Sequence, residues 1–230
     1  MTSKAKTILL VGASRGLGLG LTEEYLSRGW QVVATARHPD RAEGLKSLAA
    51  AHPNFLRVEK LDTSDADAAK RLAASLRKNS LDVLFVVAGQ ASSGYAPIHE
   101  TAPDAAAREF LVNSCAPPVV AEALLPCLVA GGPIVFMTSI LGSLANSEGG
   151  MDLYNASKAA LNMLAIGFAK RHADRRVLLM HPGWVRTDMG GAQAPLDINT
   201  SVRGMANVIA SQGAGTGIAY VDYKGDPIPW

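Results

Sequence analysis

Strand-like apolar runs and helical stretches alternate along the whole 230-residue chain, and this alternation is its strongest constraint on fold. TILLVG (7–12) reads as a strand and runs into a glycine-rich turn, GASRGLG (12–18), which opens a helix over 17–29 closed by Gly29. WQVVATA (30–36) follows as a second strand, then a helix over about 40–51, then FLRVEKLD (55–62), a less apolar strand suited to the sheet edge. The next helix, 64–78, takes Ser64 as its N-cap, with Asp65 and Asp67 in the first turn where the helix dipole favours them. LDVLFVVAG (81–89) and PIVFMTS (133–139) are continuous apolar runs, the pattern of strands buried on both faces. Between them lies mostly helix, 103–130, with a bend expected at Pro117-Pro118. A helix over 151–172, a strand over 175–183, a helix near 200–211 and a strand over 217–223 complete the chain. Such alternation predicts an α/β fold: a parallel sheet with helices on both faces, doubly wound by the crossover rule, in a single domain spanning 1–230.

Composition narrows the function classes. A hydrophobic share of 48% and a charged share of 18% describe a compact soluble protein. Lys+Arg of 22 against Asp+Glu of 20, with no basic run, argues against a nucleic-acid surface. The N-terminus MTSKAKTILL carries two lysines, but its apolar run is strand-length and leads straight into the glycine turn, so it is not read as a signal peptide. No apolar stretch is read as approaching the roughly 20 residues a membrane span needs. Cys115 and Cys127 form neither a disulfide framework nor a metal-ligand cluster. They are expected to be buried structural thiols in a cytoplasmic protein, and no metal site is expected.

Gly12, Gly16 and Gly18 sit where a chain must turn tightly between strand and helix and let its backbone approach an anion. The helix that follows points free N–H groups and its positive end at that anion, so the turn predicts a dinucleotide pyrophosphate cradle. Arg15 lies inside the turn, and Arg37 stands just past the second strand, beside Ala36. No acidic residue waits there for a ribose 2′-hydroxyl, whereas two guanidiniums can grip a 2′-phosphate. NADP(H) is therefore expected over NAD(H).

Tyr154 and Lys158 stand four residues apart in MDLYNASKAALNMLAIGFAKR and share a helix face. Ser139 closes the apolar run fifteen residues upstream of Tyr154. A phenol beside an ammonium can exchange a proton with a carbonyl oxygen, once the positive charge lowers its pKa from about 10. Ser139 can hold that oxygen by a hydrogen bond. The expected chemistry is hydride transfer between a nicotinamide and a carbonyl carbon.

With these pieces the chain resembles the short-chain dehydrogenase/reductase family over nearly its whole length. The resemblance rests on GASRGLG (12–18), Asp62 in LDTSD, Ala88-Gly89, Asn113 in LVNSCAP, Ser139, YNASK (154–158) and HPGWVRTD (181–188). It implies a Rossmann fold with Asn113, Ser139, Tyr154 and Lys158 as the catalytic set. Gly12, Ser14, Arg15, Gly16, Leu17 and Gly18 would form the cofactor cradle. Arg37, Asp62 (at the adenine), Ala88, Gly89, Tyr154 and Lys158 would extend it, with Pro182, Gly183, Val185 and Thr187 beside the nicotinamide. Asn113 would complete a water-linked proton relay with Lys158. The tail, HPGWVRTDMGG and DYKGDPIPW, is similar to the C-factor-like branch, which also includes carbonyl reductases. That branch implies a short loop between Asp188 and Asn199, and an association with intercellular signalling. Val86 and Val87 stand where many members have two asparagines, a departure expected to touch sheet stability more than chemistry.

The leading expectation is an NADPH-dependent reductase of a small or medium, fairly apolar ketone or aldehyde, or the reverse alcohol oxidation. The alternative is an NADP(H)-binding signalling or regulatory protein with little turnover. His181 is read as a hydrogen-bonded structural histidine, and His99 and His172 as loop and helix-end residues. Trp184, Met189 and Tyr95 are candidates for the substrate pocket. Trp230 is expected to fold back or meet another subunit, and a homodimer or homotetramer is expected.

Overall fold

The structure, a computed structural model, describes residues 5–230. Met1–Lys4, onto which the reading of the N-terminus partly falls, lie outside the described residues. Seven strands form one sheet: β1 (Thr7–Val11), β2 (Gln31–Ala36), β3 (Leu56–Lys60), β4 (Val83–Val86), β5 (Ile134–Met137), β6 (Arg176–His181) and β7 (Gly217–Asp222). Their order is β3-β2-β1-β4-β5-β6-β7 and every neighbouring pair runs parallel. The expected doubly wound sheet is the one observed. β3 lies at an edge as its mixed composition predicts, and the order reverses between β1 and β4, where such sheets bind ligands.

Alternate side chains of each strand feed two separate cores. Leu9, Val11, Leu84, Val86, Ile134 and Phe136 face α3 (Ala68–Ser75), α5 (Ala116–Leu124) and α6 (Asp152–Arg171). Ile8, Leu10, Phe85, Val135, Leu178 and Met180 face α1 (Gly16–Ser27), α2 (Glu43–Ala51) and α7 (Ile198–Gln212). Burial on both faces explains why these strands read as unbroken apolar runs. Phe136 on β5 meets Phe168 on α6 edge-on, with ring centroids 5.7 Å apart, and locks the long helix onto the sheet.

Four local readings need correction. The third helix starts at Ala68, and Ser64 does not cap it. The Asp62 carboxylate accepts both the Ser64 N–H (3.0 Å) and the Ser64 hydroxyl (2.7 Å), turning the chain before a helix can begin. The break in the long helical run lies just ahead of the prolines. α4 (Pro103–Phe110) passes into a π turn, Leu111–Cys115, which α5 continues. That wider turn leaves Cys115 exposed while Asn113 and Ser114 are buried, so only Cys127 is a buried thiol. Finally, the 25-residue run Pro103–Cys127 is long and apolar enough to cross a membrane, which the sequence reading passed over. Half of its most apolar window is buried inside the protein, and Val120, Ala121 and Leu124 belong to the sheet core.

Candidate active site

At the carboxyl ends of the strands, a cleft of about 340 Å³ runs over the β1/β4 switch point. Its first wall is the glycine turn. Gly12 has φ +91°, and a Cβ there would lie 2.8 Å from Ala88 Cα, so only glycine lets β1 and β4 close together. A Cβ on Gly18 would lie 2.2 Å from the Gly12 carbonyl oxygen. Gly16, at φ +54°, opens α1, whose N-cap Arg15 makes no side-chain cap bond. The first-turn N–H groups of a helix left uncapped beside a cleft suit a pyrophosphate. Ser14, Arg15 and Leu17 line the same wall.

The second wall carries Ala36, Arg37, Asp62 and Ser64. Burial works to raise the Asp62 carboxyl, but the Ser64 hydroxyl and N–H, with Arg37 and Arg108, hold it below the ordinary aspartate value. Arg15 does not stand free: its guanidinium pairs with Asp188 at 2.6 Å, both side chains largely exposed. An exposed pair of this kind is worth at most about 1 kcal/mol, so a phosphate can displace it.

The floor is built by β4, β5 and α6. Ala88, Gly89, Met137, Thr138, Tyr154 and Lys158 line it. Lys158 is 2% exposed, donates to the Met137 carbonyl at 2.9 Å, and lies 5.7 Å from the centre of the Tyr154 ring. Ser139, two residues past the end of β5, is 7% exposed and sits just behind the cleft surface. Its Oγ accepts the Leu141 N–H at 3.2 Å, and its hydroxyl works to lower the pKa of the Tyr154 phenol. The Ser139 carbonyl in turn accepts the Tyr220 hydroxyl at 2.5 Å.

Burial governs the ionisation of this pair. It pushes the Tyr154 phenol up to about 12; the Ser139 hydroxyl pulls the other way and Glu109 adds to the rise. Burial likewise brings the Lys158 ammonium down to about 8, against the pull of Glu109. The expected lowering of the tyrosine by the ammonium is therefore not what the protein alone displays: burial is the largest influence on the phenol and raises it.

Asn113 is fully buried on the π turn. Its Oδ1 accepts the Gln90 N–H at 2.8 Å, and its Nδ2 donates to the Gln90 carbonyl (2.7 Å) and to Ser157 Oγ (3.0 Å). Its side chain thus fastens the end of β4 rather than reaching Lys158. Its main-chain carbonyl has no helical donor, because the residues four and five ahead are Pro117 and Pro118, which carry no N–H.

Beyond β6, Pro182 and Thr187 line the cleft, whereas Gly183 and Val185 do not. Gly183, at φ +82°, faces Leu196 and Tyr223, and Val185 is buried and bridges to Leu196. These two shape the loop from behind. Met189 lines the cleft, while Trp184 and Tyr95 are exposed outside its lining. His181 is not a hydrogen-bonded histidine: its buried Nδ1 has no partner, and burial brings the imidazole down to about 4 although Asp222 pulls it up. His99 and His172 fall on a short 3₁₀ turn and at the end of α6, as read. Trp230 folds back: its carbonyl accepts the Ala145 N–H at 3.0 Å and its ring lies 5.5 Å from Tyr220.

Sequence reasoning missed Glu109, Tyr220 and Asn162. Glu109 carried a faint signal, an acidic residue four before Asn113 on one helix face. The other two carried none.

Comparison with known proteins agrees with this fold. The short chain dehydrogenase family matches residues 6–195. C-signal of Myxococcus xanthus is 42% identical over 129 residues, covering 54% of this chain and 78% of that protein. A carbonyl reductase of Pseudomonas aeruginosa PAO1, solved in complex with NADP, superposes with a TM-score of 0.91 at 38% identity, covering 99% of this chain and 100% of the other. Carbonyl reductase Sniffer of D. melanogaster gives a TM-score of 0.90 at 32% identity, with the same coverage. Tyr154 and Lys158 stand beside Ser139 over a glycine-walled cleft, the fold is shared with these proteins along nearly the full chain, and the protein is an oxidoreductase of the short-chain dehydrogenase/reductase family, in the branch that holds the carbonyl reductases.

Proposed function

We propose that the protein reduces a small or medium, largely apolar ketone or aldehyde with NADPH, or oxidises the corresponding alcohol, with Tyr154 as general acid and base. The observation that carries this reading is buried Lys158, 5.7 Å from the centre of the Tyr154 ring, on the floor of the cleft that the glycine turn walls. When bound, NADPH supplies a hydride to the carbonyl carbon. Tyr154 gives its hydroxyl proton to the carbonyl oxygen, so that hydride and proton together make the alcohol. Ser139 holds that oxygen. Lys158 spends one N–H on Met137, which leaves two for ribose hydroxyls. The Asn113 carbonyl, freed by the two prolines, offers an acceptor for a water that returns a proton through Lys158.

Arg37 and Arg15 support NADP(H) over NAD(H), since no acidic side chain follows Ala36 and relatives were solved with NADP. Met189, which lines the cleft, supports an apolar substrate, and Ile98, Leu144 and Trp184 add exposed apolar side chains on the loops at this end of the sheet. In this reading the whole chain works as one NADP(H)-binding domain in the cytoplasm. Exposed Val119 on α5 and Met163 and Leu164 on α6 support a homo-oligomer built on those helices.

Similarity to C-signal favours a second reading, a signalling protein that binds NADP(H) with little turnover. A Tyr154→Phe variant separates the two: the enzyme loses its biological role, and the sensor keeps it together with cofactor binding.

A further inference from the structure

Glu109 lies on α4 with its side chain fully buried, an expensive place for a carboxylate unless it is put to use. Its Oε2 accepts the Ser92 N–H at 2.9 Å, the Ser92 hydroxyl at 2.7 Å and the Ser93 N–H at 3.3 Å, with the Ser93 hydroxyl at 3.5 Å. Its Oε1 is buried and has no partner. One turn further along, Asn113 grips Gln90 by both N–H and carbonyl. Together the two residues staple the segment after β4, which borders the cleft, at two points.

We propose that Glu109 is a positioning residue of the reaction centre: one oxygen holds the Ser92–Ser93 turn, and its charge acts on Tyr154 and Lys158. This rests on the reductase reading for what the pair does, but not for whether the charge reaches it. α4 packs against α6, and Asn113, one turn past Glu109, donates to Ser157 at 3.0 Å, next to Lys158 and one turn past Tyr154. The other charged or titratable groups on these elements are Arg108 on α4 and Asp152 at the start of α6, with Tyr95 on the loop that Glu109 holds. Its two ionisable targets are also the groups whose protonation it shifts, both towards the protonated form. A negative charge opposes the phenolate and favours the ammonium, so the carboxylate keeps the proton donor loaded.

The test is a Glu109→Gln variant, which keeps the shape and an acceptor for the serines but removes the charge. Ionisation of Tyr154 is read by tyrosinate absorbance, with Tyr154→Phe as the subtraction, so no turnover is needed. The Tyr154 midpoint is expected to fall by about 0.5 pH unit or more, and the rising limb of alcohol oxidation to move down with it. Ser92→Ala, which keeps the charge, should raise the KM for the carbonyl and leave that midpoint in place. An unchanged midpoint in a folded Glu109→Gln protein would overturn the assignment and leave Glu109 a loop anchor. If that variant does not fold, Glu109→Met, close in volume and without charge, takes its place: a lowered Tyr154 midpoint sustains the assignment, and an unchanged one overturns it. Turnover missing from the wild type would instead refute the reductase reading and leave the titration standing.

Discussion

Removal of one hydroxyl from Tyr220 should loosen the centre without touching the cleft. The hydroxyl donates to the Ser139 carbonyl at 2.5 Å, and Asn162, whose Oδ1 accepts Thr138 Oγ1 at 2.7 Å, works to lower its pKa. A Tyr220→Phe change keeps the ring against Trp230 but strands a buried carbonyl. One lost bond plus an unsatisfied buried acceptor costs about 2 kcal/mol. For a chain of this length that lowers Tm by about 4–8 °C. The Ser139 hydroxyl acts on the Tyr154 phenol, so freedom in its backbone misplaces the hydroxyl proposed to hold the substrate oxygen. A fall in kcat/KM of about tenfold, some 1.4 kcal/mol, is expected. NADPH affinity should hold, because Tyr220 does not line the cleft. Thermal unfolding and initial rates of NADPH oxidation measure both effects. A variant with wild-type Tm and wild-type kcat/KM would refute the reasoning, and so would a loss confined to NADPH affinity.

Other perturbations test separate parts of the account. His181, brought down to about 4 by burial, is neutral in the fold where the unfolded chain already binds a proton. Stability should therefore fall as pH drops from about 6.5 through about 4, by about 2–3 kcal/mol from this group, and Tm against pH should flatten in that window for His181→Asn. Arg37→Asp should shift the NADPH-to-NADH efficiency ratio towards NADH by at least about tenfold, some 1.4 kcal/mol; an unchanged ratio removes Arg37 from the phosphate site. Gly18→Ala must push its methyl against a carbonyl oxygen 2.2 Å away, so NADPH binding should be lost in fluorescence titration, with wild-type affinity contradicting the cradle.

What could be read in the sequence is what one segment settles by itself. Apolar runs buried on both faces announced β1, β4, β5 and β6, and the turn at Gly12, Gly16 and Gly18 announced the cleft. Tyr154 and Lys158 were legible because helical spacing alone puts them together. Glu109 was not: in an amphipathic helix it reads as a surface charge, and only folding brings Ser92, seventeen residues away, onto its oxygen. The Tyr220–Ser139 bond joins residues 81 apart and leaves no local trace. Ser64 reads as a cap until Asp62 takes both its N–H and its hydroxyl. Cys115 escaped because a π turn rotates the side chains past it, which periodicity of 3.6 does not anticipate. The acidity of Tyr154 is set first by burial, and so by depth, which spacing does not encode.

The most direct measurement is NADPH oxidation by wild type and Tyr154→Phe across a panel of ketones, aldehydes and diketones, with NADPH binding titrated in parallel. The account predicts wild-type turnover on at least one apolar carbonyl, lowered by about 10²–10⁴-fold in the variant at unchanged NADPH affinity. Turnover that survives the loss of the phenol would contradict it.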